Sequence, residues 1–528
     1  MRPSGRWSEG VAPDIDAAAL DSQVDEILNR HPAVGLGIAV VRKGRLAQFR
    51  GRGFADLRSK APITEDTAFR IGSITKTFTA IAVMQLWERG EVDLDAPAAE
   101  YLRAFRLVPA RASFRPVTVR HLLTHTAGIP EIVHPSLGFY LLGEFVKAER
   151  PVPALSDYYR GGLPVRTDPG TRFRYTDHGF STLGQIVEDV SGKPLDRFLR
   201  ESVFDPLGMT DTGLVRSERN RSRLATGYRL GSRGVKPVAD YEVVTAAAGG
   251  AYSTLRDMAR YAAALLAGGS GEGGRVLRPE TLELMYGPHY QPDPRIPGDG
   301  LVFSRGVIGG RPVVWHGGIL PDFISQMWLA PDAGLGLVAF TNGSRSAHLW
   351  LPSEASRLLG GLLGGPADAI RTDVPQHPEV WPEICGYYHL PAALTDVRAR
   401  IMLGIGGEVF VRKGRLMARV LTPIPACYRG FELHPDDEND PYVFRVDLSQ
   451  LGLPTSRVVF SGDSGGPVSR AHFELHPLSL EKEPRIRDPR LWAKGALAGL
   501  ALGASAAVMG RRRREERGSG PRPPRCGG

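Results

Sequence analysis

Two groups of strand-like segments lie at opposite ends of a long helical region, and this separation limits how the chain can fold. The first group begins at Gly35 with GLGIAVV and continues, after Arg42-Lys43-Gly44, with RLAQFRGRGFADL. The second group, RPVVWHGGI, DFISQMWLA and GLGLVAFTN, occupies residues 311–342. Short apolar or alternating runs bounded by turn residues are typical of strands. The sequence therefore predicts one antiparallel sheet built from segments that are distant in the chain.

The region between these two groups has helical patterns. Residues 73–89, SITKTFTAIAVMQLWER, are apolar on most faces and end before Gly90, which predicts a largely buried helix. Further helical patterns cover 93–103, 118–126, 137–148, 178–191, 195–202 and 254–267. The predicted fold class is α/β of the α+β type, an antiparallel sheet flanked by helices with an all-α region.

The length of the chain indicates more than one domain. Its 528 residues, 42% of them hydrophobic, can form more than a single small core. We predict a first domain over residues 1–365, a small β-rich accessory domain over 376–483 and a tail over 484–528. Three cysteines are too few for a secreted scaffold held by disulfides.

The net charge of +9 is concentrated in the tail. The last eighteen residues hold seven arginines and two glutamates, so they carry +5 of that charge, and we expect no nucleic-acid partner. Residues 491–510 are long enough for a marginal transmembrane helix, and Arg511–Arg514 follow directly. We expect membrane association through 491–514, with a surface-lying or soluble helix and a cytoplasmic protein as the alternative. No signal peptide is visible at the N-terminus, and the oligomeric state is left open.

Ser73 and Lys76 are the first candidates for chemistry. They open the predicted buried helix three residues apart, so both side chains lie on one face. A serine hydroxyl is a weak nucleophile until a neighbouring base removes its proton, and a lysine with a depressed pKa can be that base. The amides at the helix start could also stabilise an oxyanion. Alone this pattern is weak, and Ser73 could instead cap the helix.

Two more motifs follow in order along the chain. Tyr175-Thr176-Asp177 precedes a predicted helix, and His316-Gly317-Gly318 lies in a predicted strand. With FRIGSITKTFTA, HLLTHTAGIP, PLGMTDTG and AAGGAYSTLRDMARY, these motifs make residues 1–360 resemble the serine β-lactamase and penicillin-binding-protein superfamily. The resemblance is greatest to class C β-lactamases and their esterase and D-peptidase relatives, and it implies their β-lactamase/transpeptidase-like fold.

The resemblance also implies roles for individual residues. Ser73 would be the acylated nucleophile, Lys76 its proton acceptor and Tyr175 a residue that shares or relays the proton. The backbone amides of Ser73 and Ile319 would form the oxyanion hole. Gly318 would leave room for a substrate against the strand.

Two positions depart from the β-lactamase pattern and indicate a different substrate. Asp177 replaces the usual Asn, and a carboxylate cannot donate a hydrogen bond to a substrate carbonyl; Asp177 is equally well explained as a helix cap. His316 replaces a Lys that would bind a substrate carboxylate, and histidine is mostly neutral near pH 7. We therefore expect a serine hydrolase that acts on uncharged esters or small amides. A D-specific peptidase or weak β-lactamase is the alternative enzyme, and a non-catalytic binding or scaffold protein is the alternative of another class.

Two further motifs have weaker support. His121 and His125 have the spacing of zinc ligands on one helix, but the Glu of H-E-x-x-H and a third ligand are missing, so we expect no metal and no cofactor. Residues 462–467, GDSGGP, spell the serine motif of trypsin-like proteases. A domain of about a hundred residues cannot hold the two barrels of such an enzyme. A glycine-rich turn between strands at 457–460 and 469–475 is the better interpretation.

Overall fold

The centre of the first domain is a seven-stranded antiparallel sheet. The computed structural model describes residues 16–484 except 134–143, 149, 365–369, 390–405, 423–424, 452, 463–465 and 475–477. The strand order is β4-β5-β6-β7-β1-β2-β3. The strands are β1 (Gly35–Arg42), β2 (Arg45–Asp56), β3 (Ala61–Pro62), β4 (Ser304–Ile308), β5 (Arg311–Leu320), β6 (Phe323–Ala330) and β7 (Leu335–Thr341). β1 pairs with β7, so the prediction of a sheet built from distant segments is confirmed.

The helices of the described residues are mostly short. They are α1 (Ala17–Arg30), α2 (Thr75–Glu88), α3 (Val119–Leu123), α4 (Leu155–Tyr158), α5 (Asp177–Ser191), α6 (Leu195–Leu199), α7 (Glu218–Arg223), α8 (Ala246–Gly249), α9 (Leu255–Leu266), α10 (Pro279–Tyr286), α11 (Ala347–Leu363), α12 (Trp381–Ile384) and α13 (Pro425–Arg429). Five small strand pairs join the loops: Ala68–Arg70 with Tyr252–Thr254, Phe145–Lys147 with Tyr241–Val243, Leu107–Pro109 with Leu163–Val165, Tyr228–Gly231 with Gly234–Pro237, and Ser270–Gly271 with Gly274–Arg275.

Alternate residues of β1 face two separate cores. Leu36, Ile38 and Val40 belong to a core that also contains residues of α1 and α11. Ala39 and Val41 belong to the larger core, which contains α2, α5 and α9. Because successive side chains of a strand point to opposite faces, the sheet separates these two layers of helices. Most of α2 lies within the larger core, and its residues 75–86 are all buried.

The second domain is a closed antiparallel barrel. Its strands follow one another in chain order: β8 (Gly386–His389), β9 (Gly407–Arg412), β10 (Arg415–Val420), β11 (Phe431–Pro435), β12 (Val443–Val446), β13 (Ser456–Ser461), β14 (Arg470–Phe473) and β15 (Leu478–Lys482). The prediction of a small C-terminal β domain is confirmed. β13 and β14 pair directly around the GDSGGP segment, as a turn between strands requires, although residues 463–465 themselves lie outside the described residues.

The barrel contacts the first domain through polar and apolar groups. Arg295 of the first domain forms an ion pair with Asp440 of the barrel at 2.8 Å. Ile296 packs with Val443 and Val459 in a small apolar cluster. The boundaries 1–365, 376–483 and 484–528 stay predictions.

Several predicted elements differ from the observed ones. The helix predicted over 93–103 is only a 3-10 turn at Ala98–Glu100 that follows Pro97, and a proline disfavours helix in the residue before it. In the segment 137–148, residues 137–143 lie outside the described residues and Phe145–Lys147 form a strand, because they pair with Tyr241–Val243. The sequence analysis did not predict α1, α11 or β4.

The predicted transmembrane segment cannot be compared with the structure. Residues 491–510 and the arginines after them lie outside the described residues. In the part of the chain that the structure does describe, no helix combines the length and apolar character that a membrane span needs. Membrane association through 491–514 stays a prediction.

Replacing Phe78 tests the larger core. Phe78 is fully buried and makes edge-to-face contacts with Phe204 and Tyr261 at ring-centroid distances of 5.1 and 4.7 Å. We expect Phe78→Ala to lower the free energy of unfolding by about 3–5 kcal/mol, because it leaves a cavity. Phe54→Ala, the same change at a residue that is 38% exposed, should cost much less. Urea unfolding of both variants measures the difference, and equal losses would contradict the packing described here.

Candidate active site

Ser73 lies in a short 3-10 turn, Gly72–Ile74, directly before α2. Gly72 has a φ of +53°, in the left-handed region that glycine adopts without strain. The Thr75 hydroxyl donates to the Gly72 carbonyl at 2.6 Å and accepts the Ala251 amide at 3.1 Å. These bonds hold the turn against the segment that follows α8.

Lys76 lies beneath Ser73 and is completely buried. Its Nζ donates to Ser73 Oγ at 2.9 Å, to Asp177 Oδ1 at 2.6 Å and to the carbonyl oxygen of Ala248 at 3.0 Å. The Thr79 hydroxyl, one turn further along α2, donates to the Ala247 carbonyl at 2.7 Å. The structure thus brings Ser73 and Lys76 together, as their spacing in the sequence predicts.

The charge on Lys76 is stabilised rather than weakened by its surroundings. Burial by itself lowers the pKa of a lysine, but the carboxylate of Asp177 and the hydroxyl of Tyr175 outweigh burial and raise the pKa of Lys76 above its ordinary value. The depressed pKa that a free lysine base requires is therefore not present. Lys76 is an ammonium at neutral pH.

Tyr175 lies over Lys76. Lys76 Nζ is 4.8 Å from the centroid of the Tyr175 ring. The residue is 40% exposed as a whole, but its hydroxyl lies among Lys76, Ser73 and Asp177. Loss of hydration raises the pKa of Tyr175, although the nearby charge of Lys76 opposes this change. Tyr175 is therefore a neutral phenol at neutral pH.

Asp177 is the first residue of α5, and it does not cap the helix. Thr176 is the N-cap, and its hydroxyl accepts the amide of His178 at 3.2 Å. The Asp177 carboxylate instead accepts Lys76, and its backbone amide donates to Glu131 Oε2 at 3.1 Å. The interpretation of Asp177 as a cap is wrong, because the residue before it fills that role.

The strand β5 passes directly beside the Ser73 turn. A Cβ atom added to Gly72 would lie 3.0 Å from the amide nitrogen of Ile319, so the amides of Ser73 and Ile319 belong to adjacent backbone segments. A Cβ atom on Gly318 would collide with the carbonyl of Ile71 and with Ser325 Oγ, which bond each other at 2.7 Å. Close packing of β5 on the turn is thus a second reason for glycine at position 318.

His316 is buried in β5, only 6% exposed. Its Nδ1 donates to the carbonyl oxygen of Gly317 at 2.8 Å, because a carbonyl can only accept, and this leaves Nε2 without a hydrogen. Burial, and next the nearby charge of Lys76, lower the pKa of His316 to about 3. The expectation of a neutral histidine at this position agrees with the structure.

His121 and His125 do not form a metal site. α3 ends at Leu123, and His125 has a φ of +55°, so the two residues do not share one helix face. His121 Nδ1 accepts the amide of Thr118 at 3.1 Å, and His125 Nδ1 accepts the amide of Thr176 at 3.3 Å. Among the residues that the structure describes, no cluster of potential metal ligands is present.

Sequence reasoning missed the role of His125 in holding the Tyr175 motif. The His125 ring lies 4.3 Å from the Tyr175 ring, 5.0 Å from Phe180 and 5.7 Å from Phe173, measured between centroids. Together with its bond to Thr176, this places His125 directly behind the motif. His125 lies in the motif HLLTHTAGIP, but nothing in this motif indicates which segment of the chain the histidine contacts.

A second buried cluster lies behind Asp177 and was also missed. His178 Nε2 donates to the Glu131 carbonyl at 3.0 Å and lies 3.1 Å from Glu144 Oε1, and its Nδ1 accepts the Tyr159 hydroxyl at 2.6 Å. Burial and the charge of Asp177 raise the pKa of Glu144 to about 8. Glu144 is therefore mostly uncharged at neutral pH. No spacing rule connects its position in the sequence to the others.

The fold is the mixed α/β fold of the β-lactamase and penicillin-binding-protein superfamily. The beta-lactamase family model matches residues 20–358, and the chain belongs to this family.

Two proteins of known sequence are informative relatives. Esterase EstB of Burkholderia gladioli is 36% identical over 209 residues, which are 39% of this chain and 53% of that protein, so the match spans about half of the esterase. Putative beta-lactamase-like 1 of Homo sapiens is 29% identical over 432 residues, 78% of this chain and 81% of that protein.

Two solved structures show the same fold. The octameric penicillin-binding protein homologue from Pyrococcus abyssi aligns with a TM-score of 0.58 at 24% identity, over 89% of this chain and all of that one. The D-amino acid amidase from Ochrobactrum anthropi SV3 aligns with a TM-score of 0.54 at 26% identity, over 66% of this chain and 99% of that one.

Variants of His125 test whether its hydrogen bond holds the Tyr175 motif. Asn keeps an acceptor near the position of Nδ1 and tolerates a positive φ, whereas Phe keeps a ring and removes the acceptor. We expect His125→Phe to lower the free energy of unfolding by about 1–3 kcal/mol, because a buried amide loses its partner, and to slow acylation of Ser73. His125→Asn should be closer to wild type in both measurements.

His121 provides the control, because its Nδ1 also accepts a backbone amide but does so away from Tyr175. His121→Phe should reduce stability in urea unfolding without slowing acylation. A slower acylation in both Phe variants would mean that the effect on Ser73 is not specific to His125.

Proposed function

We propose that this protein hydrolyses an ester or small amide through an acyl-enzyme on Ser73. The observation that carries the proposal is the 2.9 Å hydrogen bond from the buried Lys76 to Ser73 Oγ at the start of α2. A serine hydroxyl oriented by a buried lysine is compatible with nucleophilic catalysis, which also needs a base for the serine proton. The family of the chain and its esterase and amidase relatives support the same reaction class.

The backbone around Ser73 would stabilise the tetrahedral intermediate. The amides of Ser73 and Ile319 lie on adjacent segments, and two amides directed at one developing oxyanion lower the barrier of acyl transfer. Tyr175, a neutral phenol beside Ser73 and Lys76, would donate a proton to the leaving group. Ile319 is 61% exposed, so its face of the site is open to a substrate.

The substrate we propose is uncharged. His316 stands where β-lactamases have a lysine, and its pKa of about 3 keeps it neutral at physiological pH. The one cation of the described site, Lys76, is already paired with Asp177. A substrate carboxylate would therefore find no free positive charge at these residues, and it would approach the carboxylate of Asp177. This disfavours β-lactams and peptides that end in a carboxylate.

Two alternatives make different predictions. A D-specific peptidase or weak β-lactamase would use the same acyl-enzyme, and the similarity to a D-amino acid amidase supports small amides as substrates. A non-catalytic binding or scaffold protein would keep the fold without acylation. The intact hydrogen bond between Lys76 and Ser73 argues for the enzyme.

A fluorophosphonate probe tests the proposal directly. Wild type should become labelled on Ser73, and Ser73→Ala should not, because the alanine has no nucleophile. Ser461→Ala is a matched control, because Ser461 Oγ lies 2.8 Å from His472 Nε2 in the barrel and is therefore a second serine in contact with a base. Peptide mapping of the labelled protein gives the site. Labelling that survives Ser73→Ala, or no labelling of wild type, would contradict the proposal.

His316 variants test the substrate class. Wild type should hydrolyse p-nitrophenyl esters with a higher kcat/KM than nitrocefin, which carries a carboxylate. His316→Lys should shift this ratio toward nitrocefin by about tenfold or more, equivalent to about 1.4 kcal/mol of transition-state binding. His316→Gln, which adds no charge, should not shift the ratio in this direction. A tenfold preference of wild type for nitrocefin would refute the argument.

A further inference from the structure

Lys76 as it stands cannot accept the proton of Ser73. An ammonium group has three hydrogens and no lone pair, and all three hydrogens of Lys76 have acceptors: Ser73 Oγ, Asp177 Oδ1 and the Ala248 carbonyl. The bond to Ser73 therefore orients the nucleophile but does not activate it. Acylation requires that Lys76 first, or at the same moment, give up a proton.

The three acceptors differ greatly in their ability to take that proton. A backbone carbonyl such as that of Ala248 is a very weak base, and Ser73 is the group to be deprotonated. Tyr175 is a neutral phenol and has no basic site of comparable strength. Asp177 Oδ1 lies 2.6 Å from Lys76 Nζ, at the short end of the range for charge-assisted hydrogen bonds. Of the described groups in contact with Nζ, the carboxylate is the strongest base.

We propose that Asp177 takes a proton from Lys76 as Lys76 takes the proton of Ser73. This inference rests on the proposed function and specifies how its first step occurs. It also gives Asp177 a role other than the substrate binding expected from the sequence.

The proposed step is balanced in protons and charge. Before attack, Ser73 is a hydroxyl, Lys76 an ammonium and Asp177 a carboxylate. As Ser73 Oγ bonds to the substrate carbonyl carbon, its proton moves to Nζ, one Nζ proton moves to Oδ1, and the carbonyl π electrons move to oxygen. The products are a tetrahedral oxyanion, an unchanged Lys76 ammonium and a neutral Asp177 acid.

The second half of the step returns the proton. When the bond to the leaving oxygen or nitrogen breaks, the leaving group takes a proton from Lys76, either directly or through Tyr175, which Lys76 then reprotonates, and Asp177 returns its proton to Lys76. The acyl-enzyme then contains Ser73 as an ester, with Lys76 and Asp177 again charged. No group outside the site is needed.

The surroundings of Asp177 suit a group that must be ionised before attack. Its side chain is 32% exposed, so water still reaches it, and it lies in the first turn of α5, where the helix dipole favours a negative charge. Glu144, whose pKa is raised to about 8, does not add a second full charge at neutral pH. The titratable side chains that interact with Asp177 include Lys76, Tyr159, Tyr175, Glu144 and His316, and its backbone amide binds Glu131.

The pH dependence of acylation distinguishes the proposed proton relay, from Ser73 through Lys76 to Asp177, from a purely structural role of Asp177. The measurement is the stopped-flow burst of p-nitrophenol from p-nitrophenyl acetate, with the full-length chain, between pH 5 and 10. In wild type the rate should fall toward acidic pH, because the relay needs Asp177 as a carboxylate. In Asp177→Asn the amide takes no proton, so we expect acylation about 10²-fold or more slower wherever Lys76 is still an ammonium, within the range of general-base effects. The same change removes the charge that raises the pKa of Lys76. The rate of this variant should then rise toward alkaline pH, where Lys76 itself becomes neutral.

Two further variants complete the design. Asp177→Glu keeps a carboxylate and should keep the wild-type shape of the pH profile with a smaller loss of rate. Asp157→Asn removes a carboxylate from the first turn of another helix, α4. The Asp157 side chain is 63% exposed and paired with Arg160, so this variant should not change the pH profile of acylation. Circular dichroism and thermal unfolding confirm that each variant is folded.

A measurement on wild type keeps the test valid if Asp177→Asn does not fold. The burst rate in mixtures of H₂O and D₂O should depend on the deuterium fraction with upward curvature, because two protons move in one step. A linear dependence indicates one moving proton and would overturn the relay.

The Asp177 variants can also overturn the proposed proton relay. An Asp177→Asn burst with the rate and pH profile of wild type excludes Asp177 as the acceptor. An equal loss of rate at every pH in both Asp177 variants indicates a structural role instead. These results differ from failure of the proposed function, which would appear as no burst in wild type or as a burst that persists in Ser73→Ala.

Discussion

The burial of one positive charge organises the site. Lys76 has no contact with solvent, and an unpaired ammonium in that position would destabilise the fold by several kcal/mol. The structure meets this constraint with acceptors from three parts of the chain: the turn before α2, the start of α5 and the end of α8. Each of these segments is therefore held in place partly by its contact with the charge.

Other polar contacts in the core support the same three segments. Thr75 and Thr79 bind the backbone on either side of Ala248, and His125 binds the backbone at Thr176. These bonds satisfy buried donors and acceptors that would otherwise cost free energy. They also fix the distances among Ser73, Lys76 and Asp177. Stability and the geometry required for chemistry thus depend on the same set of hydrogen bonds.

The sequence predicted the local features of the fold, but not the features that depend on contacts between segments distant in the chain. α2 and the strands around residues 35–56 and 311–341 were predictable, because a buried run ends at Gly90 and turn residues separate the strands. The direction of the pKa change of Lys76 was not, since it depends on a contact with Asp177, 101 residues away. α11 was missed because Pro352 lies inside it and no side chain caps its start. The roles of His125 and Glu144 follow only from the packing of loops that have no regular pattern.

The arrangement of the site along the chain has a consequence for folding. Its groups come from Ser73 at one end and Ile319 at the other, and β1 completes the sheet only when it pairs with β7, about 300 residues later. Contacts between such distant segments form slowly, because closing a long loop costs conformational entropy before any stabilising contact has formed. During synthesis, the turn with Ser73 and the helix with Lys76 can form before β5, which carries Ile319, has been made. The acylation that we propose should therefore become possible only late in biogenesis, after most secondary structure has formed.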